Sequence, residues 1–397
     1  MTASWRILVL ILAVQTVANI GPMGLPAIAP LIREDLDLSL TQAGSFLSAY
    51  YVGPILMSLP AGWLADRWGI RRTMVAGQAL IALGLLSAAL ARSFAVLVPL
   101  TILAGVGYGM LNPTSTKAVI AWFPQRQRAT AVGLKQTGLP FGGVLGAALL
   151  PALGLAIGWR AAVMASAASI LVLGAATLIL YRDPPDLLRP SGGGGSGMIR
   201  TVLGTADLWW VSLATLIFAV LQTVWLSFLV LYLHEVVRLS VVSAAGYLAQ
   251  AQVTGILGRI GFGVLSDRLF GGRRRIVLFL AGSGSMLCSI AIAATGPGTP
   301  AWQLSLLALS FGFVGIGWNG VQHTLLAELA GPRAAGTAVG LGLAVSSLGV
   351  TLGPPVFGWA VERIGGYGAA WIGLAATMAG ALVLLGRVRE SRRLYDR

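Results

Sequence analysis

The sequence predicts an all-α polytopic membrane protein, with twelve transmembrane helices arranged as two six-helix pseudo-symmetric bundles. Three observations carry that expectation. The 397 residues are 56% hydrophobic and only 10% charged, more apolar surface than soluble cores of this length can hide. Twelve apolar segments follow one another with short joins, each able to cross ~30 Å of hydrocarbon, for which roughly 20 residues suffice. Motifs of the first half also return in the second half at a nearly constant offset.

In chain order the segments cover residues 5–32, 41–63, 74–91, 94–122, 130–156 and 160–181, then 207–234, 242–265, 276–295, 302–328, 336–362 and 369–388. Arg6 followed by Ile7 to Val14 looks like the start of a signal peptide. The apolar run continues through Ala18 and Pro22 to Ile32 without a cleavage site, so it reads as the first span. Pro184, Pro185 and Pro190, followed by the Gly/Ser run from Ser191 to Gly197, mark a flexible linker. The expected domains are therefore an N-terminal bundle at 1–182, a cytoplasmic linker at 183–206, a C-terminal bundle at 207–388 and a tail at 389–397. The 53 glycines suit close helix packing in lipid.

The halves repeat in order. Gly62 to Arg67 (GWLADR) returns as Gly263 to Arg268 (GVLSDR), 201 residues on. Asn112 meets Asn319, and Ala131 to Leu134 (AVGL) meets Ala338 to Leu341, both 207 residues on. Two bundles related in this way create a cavity suited to alternating access.

A net charge of +14 would suggest nucleic acid in a soluble protein, but here the basic residues sort by loop. Of 27 Lys and Arg, 19 fall on one side, five on the other, and Lys117, Lys135 and Arg259 lie within spans. The positive-inside rule then puts both termini in the cytoplasm, so no nucleic-acid partner is expected. Cys288 is the one cysteine, which excludes disulfides and cysteine metal sites. No nucleophile with an ordered base, metal cluster or phosphate loop appears, so neither enzymatic activity nor a cofactor is expected.

On these residues the chain resembles the major facilitator superfamily along essentially its whole length. The signature between the second and third helices is G-x-L-a-D-r-x-G-r-r, and Gly62 to Arg72 reads GWLADRWGIRR. Its second copy, Gly263 to Arg275, has one extra residue. The resemblance implies gating roles for Gly62, Asp66, Arg67, Arg71, Arg72, Gly263, Asp267 and Arg268. By the same resemblance, Asp66 meets the eleventh helix near Gly336, and Asp267 meets the fifth near Thr130. A carboxylate placed there can pair with a helix N-terminus and with arginines. The bland reading makes the arginines topology determinants alone.

Ionisable residues inside spans cost roughly 2.5–3.5 kcal/mol on insertion scales and are functional candidates by default. Here they are Lys117, Lys135, Arg259 and the titratable His323, with no Asp or Glu deep in a span. That imbalance points to an anion, which Arg can hold by a bidentate fork. Asn319, Gln322 and His323 share one helix face, and Asn112, Ser115 and Thr116 repeat the pattern. Gln252 shares a face with Arg259, and Gln15 with Asn19; Gln136 and Gln222 extend the polar set, with Trp318, Trp225 and Trp122 as walls. Alternatively, Lys117 and Lys135 snorkel to the surface, His323 is a packing residue, and the two Asn serve helix contacts.

Arg259 to Asp267 is similar to the eighth helix of monocarboxylate and oxalate/formate-type members, although the Asp expected four residues before the Arg is Gly255. Asn112 to Arg128 resembles the organic-anion permeases. The expectation is a monomeric secondary transporter of the inner cell membrane, moving a small carboxylate-type anion by alternating access, with the proton as a possible partner. The alternative is a proton-coupled exporter of drugs or other amphiphiles. Gly138, Pro140, Gly142 and Gly143 partly match the antiporter motif, but the arginine expected four residues before Gly105 is Thr101.

Overall fold

The computed structural model describes residues 3–183, 200, 202–331 and 334–390. The expected Gly/Ser linker and most of the tail lie outside these, as do the side chains of Gly62, Asp66, Thr130 and Gly336. Among the described residues the chain forms twelve membrane-crossing segments. In the first half they are α1 (Ser4–Asp35), α2 (Leu40–Ala49 continued by Val52–Trp68), α3 (Ile70–Ala89), α4 (Phe94–Trp122), α5 (Ala131–Ile157) and α6 (Trp159–Leu180). In the second they are α7 (Ala206–Glu235), α8 (Val241–Val264), α9 (Arg274–Ala293), α10 (Ala301–Ala330), α11 (Ala335–Ile364) and α12 (Tyr367–Gly386).

Ten of the twelve have the length and apolarity to cross a membrane as they stand. The other two have identifiable reasons to differ. Helix α2 is interrupted at Tyr50–Tyr51, and α8 carries Gln250, Gln252 and Arg259. Large apolar side chains such as Val172, Ile179 and Leu180 are exposed on the outside of the helices, the reverse of a soluble surface and what lipid requires.

Irregular backbone is concentrated in the long helices. In α1, Pro22 precedes a 3-10 turn at Leu25–Ile28. Helix α10 widens into a π turn at Gly312–Ile316, and α8 ends in another at Leu265–Leu269. Such turns release main-chain groups and reorient the residues that follow. Asn319 starts the regular helix just after the first of them.

The helices group into two compact units, Met1–Ser191 with Ser240–Ala249, and Gly192–Leu239 with Gln250–Arg397. In the first unit α1 packs on α5, α2 on α4, and α3 on both α4 and α6. In the second, α7 packs on α11 and α12, and α9 on α12.

Glycines set the closest of these crossings. A Cβ on Gly105 would overlap the carbonyl oxygen of Tyr50, and one on Gly312 would overlap that of Ala251. The first pair sits where α2 meets α4, and the second, its repeat mate, where α8 meets α10. Gly142 against the Thr16 carbonyl and Gly349 against that of Leu216 do the same for α1 with α5 and α7 with α11. With no apolar driving force between helices in lipid, main-chain approach of this kind supplies the packing.

Polar anchors at the helix ends are duplicated as well. Asp35 at the end of α1 accepts from Arg160 at the start of α6, 2.6 Å away. Their repeat mates, Glu235 and Tyr367, make a 3.0 Å hydrogen bond. At the opposite end of each unit a carboxylate after the last helix caps another helix. Asp183 accepts from the Arg71 main-chain N–H at 3.0 Å, and Glu390 accepts from that of Arg274 at 2.7 Å. A carboxylate at a helix N-terminus satisfies orphan donors and meets the positive end of the dipole.

Candidate functional site

In the first unit the polar stripe of α4 faces α1 and α5. Asn112 is exposed, Ser115 is buried and Thr116 is half-buried. Lys135 of α5 is 0% exposed. Its ammonium donates to Asn112 Oδ1 at 2.6 Å, to the Asn112 main-chain oxygen at 3.2 Å and to Thr116 Oγ1 at 2.7 Å. All three acceptors are neutral. On α1, Gln15 Nε2 donates to Ser115 Oγ at 3.3 Å, and Asn19 Nδ2 turns back to the Gln15 carbonyl at 2.7 Å.

The second unit builds the matching stripe on α10 from Asn319, Gln322 and His323. Gln322 Nε2 donates to Thr215 Oγ1 of α7 at 3.3 Å. Thr215 and Gln322 occupy the repeat positions of Gln15 and Ser115, so the same link is kept with the amide and hydroxyl exchanged between helices. Asn319 Nδ2 donates to Gln222 Oε1 at 3.2 Å and to the Ile316 carbonyl at 3.1 Å. Arg259 of α8 is half-buried in the same unit. His323 is the repeat mate of Thr116, the hydroxyl that Lys135 meets in the first unit.

The expected site residues separate by burial. Asn112 is exposed, and Lys117, Gln136, Gln222, Arg259, Asn319 and His323 are half-buried. Lys135, Asn19, Gln252, Gln322 and Trp318 are buried. The Trp318 indole donates to the Gly315 carbonyl and packs on Phe218, with ring centres 5.3 Å apart, so it is a core residue of its unit and not a wall. Trp225 stacks on Phe311 at 4.0 Å and donates to Ser289, also within the core. Lys135 does not snorkel, because the oxygens on α4 saturate it at depth.

The signature loops are polar ends of helices. Arg67 is exposed, with its guanidinium 5.4 Å from the Trp63 ring centre, and Arg72 and Arg268 are exposed as well. Arg71 takes part through its main chain, in the Asp183 cap. A Cβ on Gly263 would meet nothing within 4 Å. Asp267 pairs with Arg274, which also reaches Glu328 at 3.3 Å and Ser266 Oγ at 2.8 Å. The expected contacts of Asp66 with the region of Gly336, and of Asp267 with that of Thr130, fall on side chains outside those described.

Sequence reasoning missed Thr215, Asp183, Glu390 and the Asp35–Arg160 pair. The signal was available in the register. Each acid recurs as an acid about 200 residues on at the same helix end, Asp35 with Glu235 and Asp183 with Glu390.

Among the described residues no group of three or more His, Cys, Asp and Glu is placed to hold a metal ion. The arrangement holds cations and hydrogen-bond donors within the spans.

Comparison with known proteins agrees with this architecture. A probable sulfoacetate transporter of Cupriavidus necator is 28% identical over 382 residues, covering 88% of this chain and 86% of that protein. A hexuronate transporter of Bacillus subtilis is 24% identical over 362 residues, covering 87% and 85%. The crystal structure of a bacterial homologue of the human lysosomal transporter Spinster, inward-facing and unoccupied, superposes with a TM-score of 0.79 at 20% identity, covering 100% of this chain and 96% of that one. That likeness shows the fold. Residues 10–354 match the family profile described as the Major Facilitator Superfamily, and the chain belongs to that family of multi-pass membrane transporters.

Proposed function

We propose that this transporter moves a small organic anion of the carboxylate type by alternating access. The observation that supports it most is how the charge of Lys135 is held. Lys135 is held by three neutral oxygens, and the spans also carry Lys117 and Arg259 with no Asp or Glu in their middle. Intramembrane cations solvated in this way retain a field that an anion relieves on binding. The relatives named for sulfoacetate and hexuronate are consistent with this chemistry.

In this reading Arg259 supplies the charged fork, and His323, Gln222 and Asn319 are the other polar groups of the second unit. Asn112, which is exposed, and Lys117 and Gln136, which are half-buried, are the polar groups of the first unit in this reading. The signature loops act as gates, through Asp66, Arg67, Arg71 and Arg72 and again through Asp267 and Arg268. Both termini are cytoplasmic in this reading, and the gradient arm of the assay below tests whether a proton accompanies the substrate.

Uptake into liposomes by the purified protein tests the reading. Labelled sulfoacetate and glucuronate are compared with the cation ethidium, with and without an inward proton gradient. The expected result is gradient-stimulated uptake of at least one acid, lost in Arg259→Ala. Ethidium transport that survives Arg259→Ala, with no uptake of either acid, would overturn it.

A further inference from the structure

Lys135 has no surface to offer a ligand. It is fully buried, and its ammonium has three N–H donors and no acceptor. The Asn112 carbonyl, Asn112 Oδ1 and Thr116 Oγ1 account for all three. Thr116 Oγ1 in turn donates to the Asn112 carbonyl at 2.8 Å, as does Ser115 Oγ at 3.1 Å, so the cluster is closed on that side.

The consequence falls on Asn112. An amide has one acceptor end and one donor end, and a lysine can only face the acceptor. Lys135 therefore sets the rotation of the Asn112 side chain, oxygen inward and NH2 outward, at a residue that is itself exposed. In the second unit the repeat mate, Asn319, is turned the other way. Its NH2 is spent on Gln222 Oε1 and the Ile316 carbonyl. No lysine stands opposite it, because the position matching Lys135 is Gly342, where a Cβ would overlap Leu326.

We infer that Lys135 is a positioning residue that locks the Asn112 amide so that its NH2 is presented to substrate as a hydrogen-bond donor of the first unit. That the substrate is an anion rests on the reading above; the orientation of the amide does not. Lys135 contributes to specificity through Asn112: a fixed donor favours carboxylate or sulfonate oxygens over ligands that need an acceptor.

The chain contains three asparagines, Asn19, Asn112 and Asn319, so protein labelled with side-chain nitrogen-15 asparagine gives three NH2 signals in nanodiscs. Asn112→Gln identifies one of them by its loss. In the wild type the Asn112 signal is expected to exchange with water fastest, since the NH2 groups of Asn19 and Asn319 are both bonded within the protein. In Lys135→Met it should shift or split as the amide is released. A signal that superimposes on the wild type in Lys135→Met overturns the inference, whatever the substrate proves to be.

Asn112→Asp is a second variant that keeps an oxygen toward Lys135, forms an ion pair with it and leaves the fold in place. It replaces the outward NH2 by an oxygen. Binding of glucuronate should weaken about tenfold or more, the scale of one charge-assisted hydrogen bond, while binding of the neutral glucuronamide changes less. Equal glucuronate affinity in Asn112→Asp and wild type overturns the inference. If the wild type binds neither acid, the anion reading fails, and the NH2 signals still decide the role of Lys135.

Discussion

The two units share a scaffold and differ in how they hold a cation. In the first, Lys135 is sealed under α4 by neutral oxygens and acts on the surface through Asn112. In the second, Arg259 is half-buried, and the lysine position is glycine. What is duplicated is what joins helices: the crossings at Gly105 and Gly312, the bonds Gln15–Ser115 and Thr215–Gln322, the anchors Asp35–Arg160 and Glu235–Tyr367, and the caps by Asp183 and Glu390. What has diverged is the charge beside the stripe. Contacts between helices must be kept for either unit to fold, whereas the groups that meet a ligand are free to become unlike.

The strongest way to break the comparison is to damage the shared scaffold. Gly105→Val and Gly312→Val each drive a branched side chain into main chain that cannot move away, so each should cost more than about 3 kcal/mol, beyond ordinary overpacking. Loss of the monodisperse peak in detergent is the readout, and a folded Gly312→Val would show that the second crossing tolerates what the first does not.

Next in size is the diverged cation. Removing one partner of a buried charged contact typically costs about 2–5 kcal/mol. Arg259→Ala should therefore lower acid uptake by more than about thirtyfold, with its melting temperature in detergent nearly unchanged. A uniform loss of stability with intact uptake would make Arg259 a scaffold residue and erase the difference between the two units.

A smaller effect sharpens the comparison. Ser115→Ala leaves Gln15 Nε2 without its bond and should cost about 1 kcal/mol. Replacing Gln15 by Thr together with Ser115 by Gln moves the second unit's pairing into the first. The pair should recover most of that loss in a double-mutant cycle, and strict additivity would mean that the two links are not equivalent. Smallest of all, Arg160→Ala removes an ion pair whose side chains are 34% and 41% exposed. A change within about 1 kcal/mol is expected, measured by thermal unfolding in detergent.

Much of this was legible in the chain. The spans followed from runs of apolar residues, the repeat from GWLADR and GVLSDR, and the candidate site residues from the few ionisable residues inside spans. The periodicity of α10 put Asn319, Gln322 and His323 on one face before any partner was known. It could not show that Gln322 turns to Thr215, or that Trp318 belongs to the core, because both depend on what α7 brings opposite α10.

The sequence by itself therefore determined the number of helices, their duplication, the family signature and the excess of cations over acids within spans. These are properties of single segments and their spacing, governed by the cost of placing polar groups in hydrocarbon. Only the tertiary structure decided which of those cations is accessible. Helical periodicity gives the direction of a side chain about its own axis, but whether Lys135 reaches open space or three oxygens depends on how closely α5 approaches α4. That closeness is set by glycine crossings and packed neighbours from other parts of the chain.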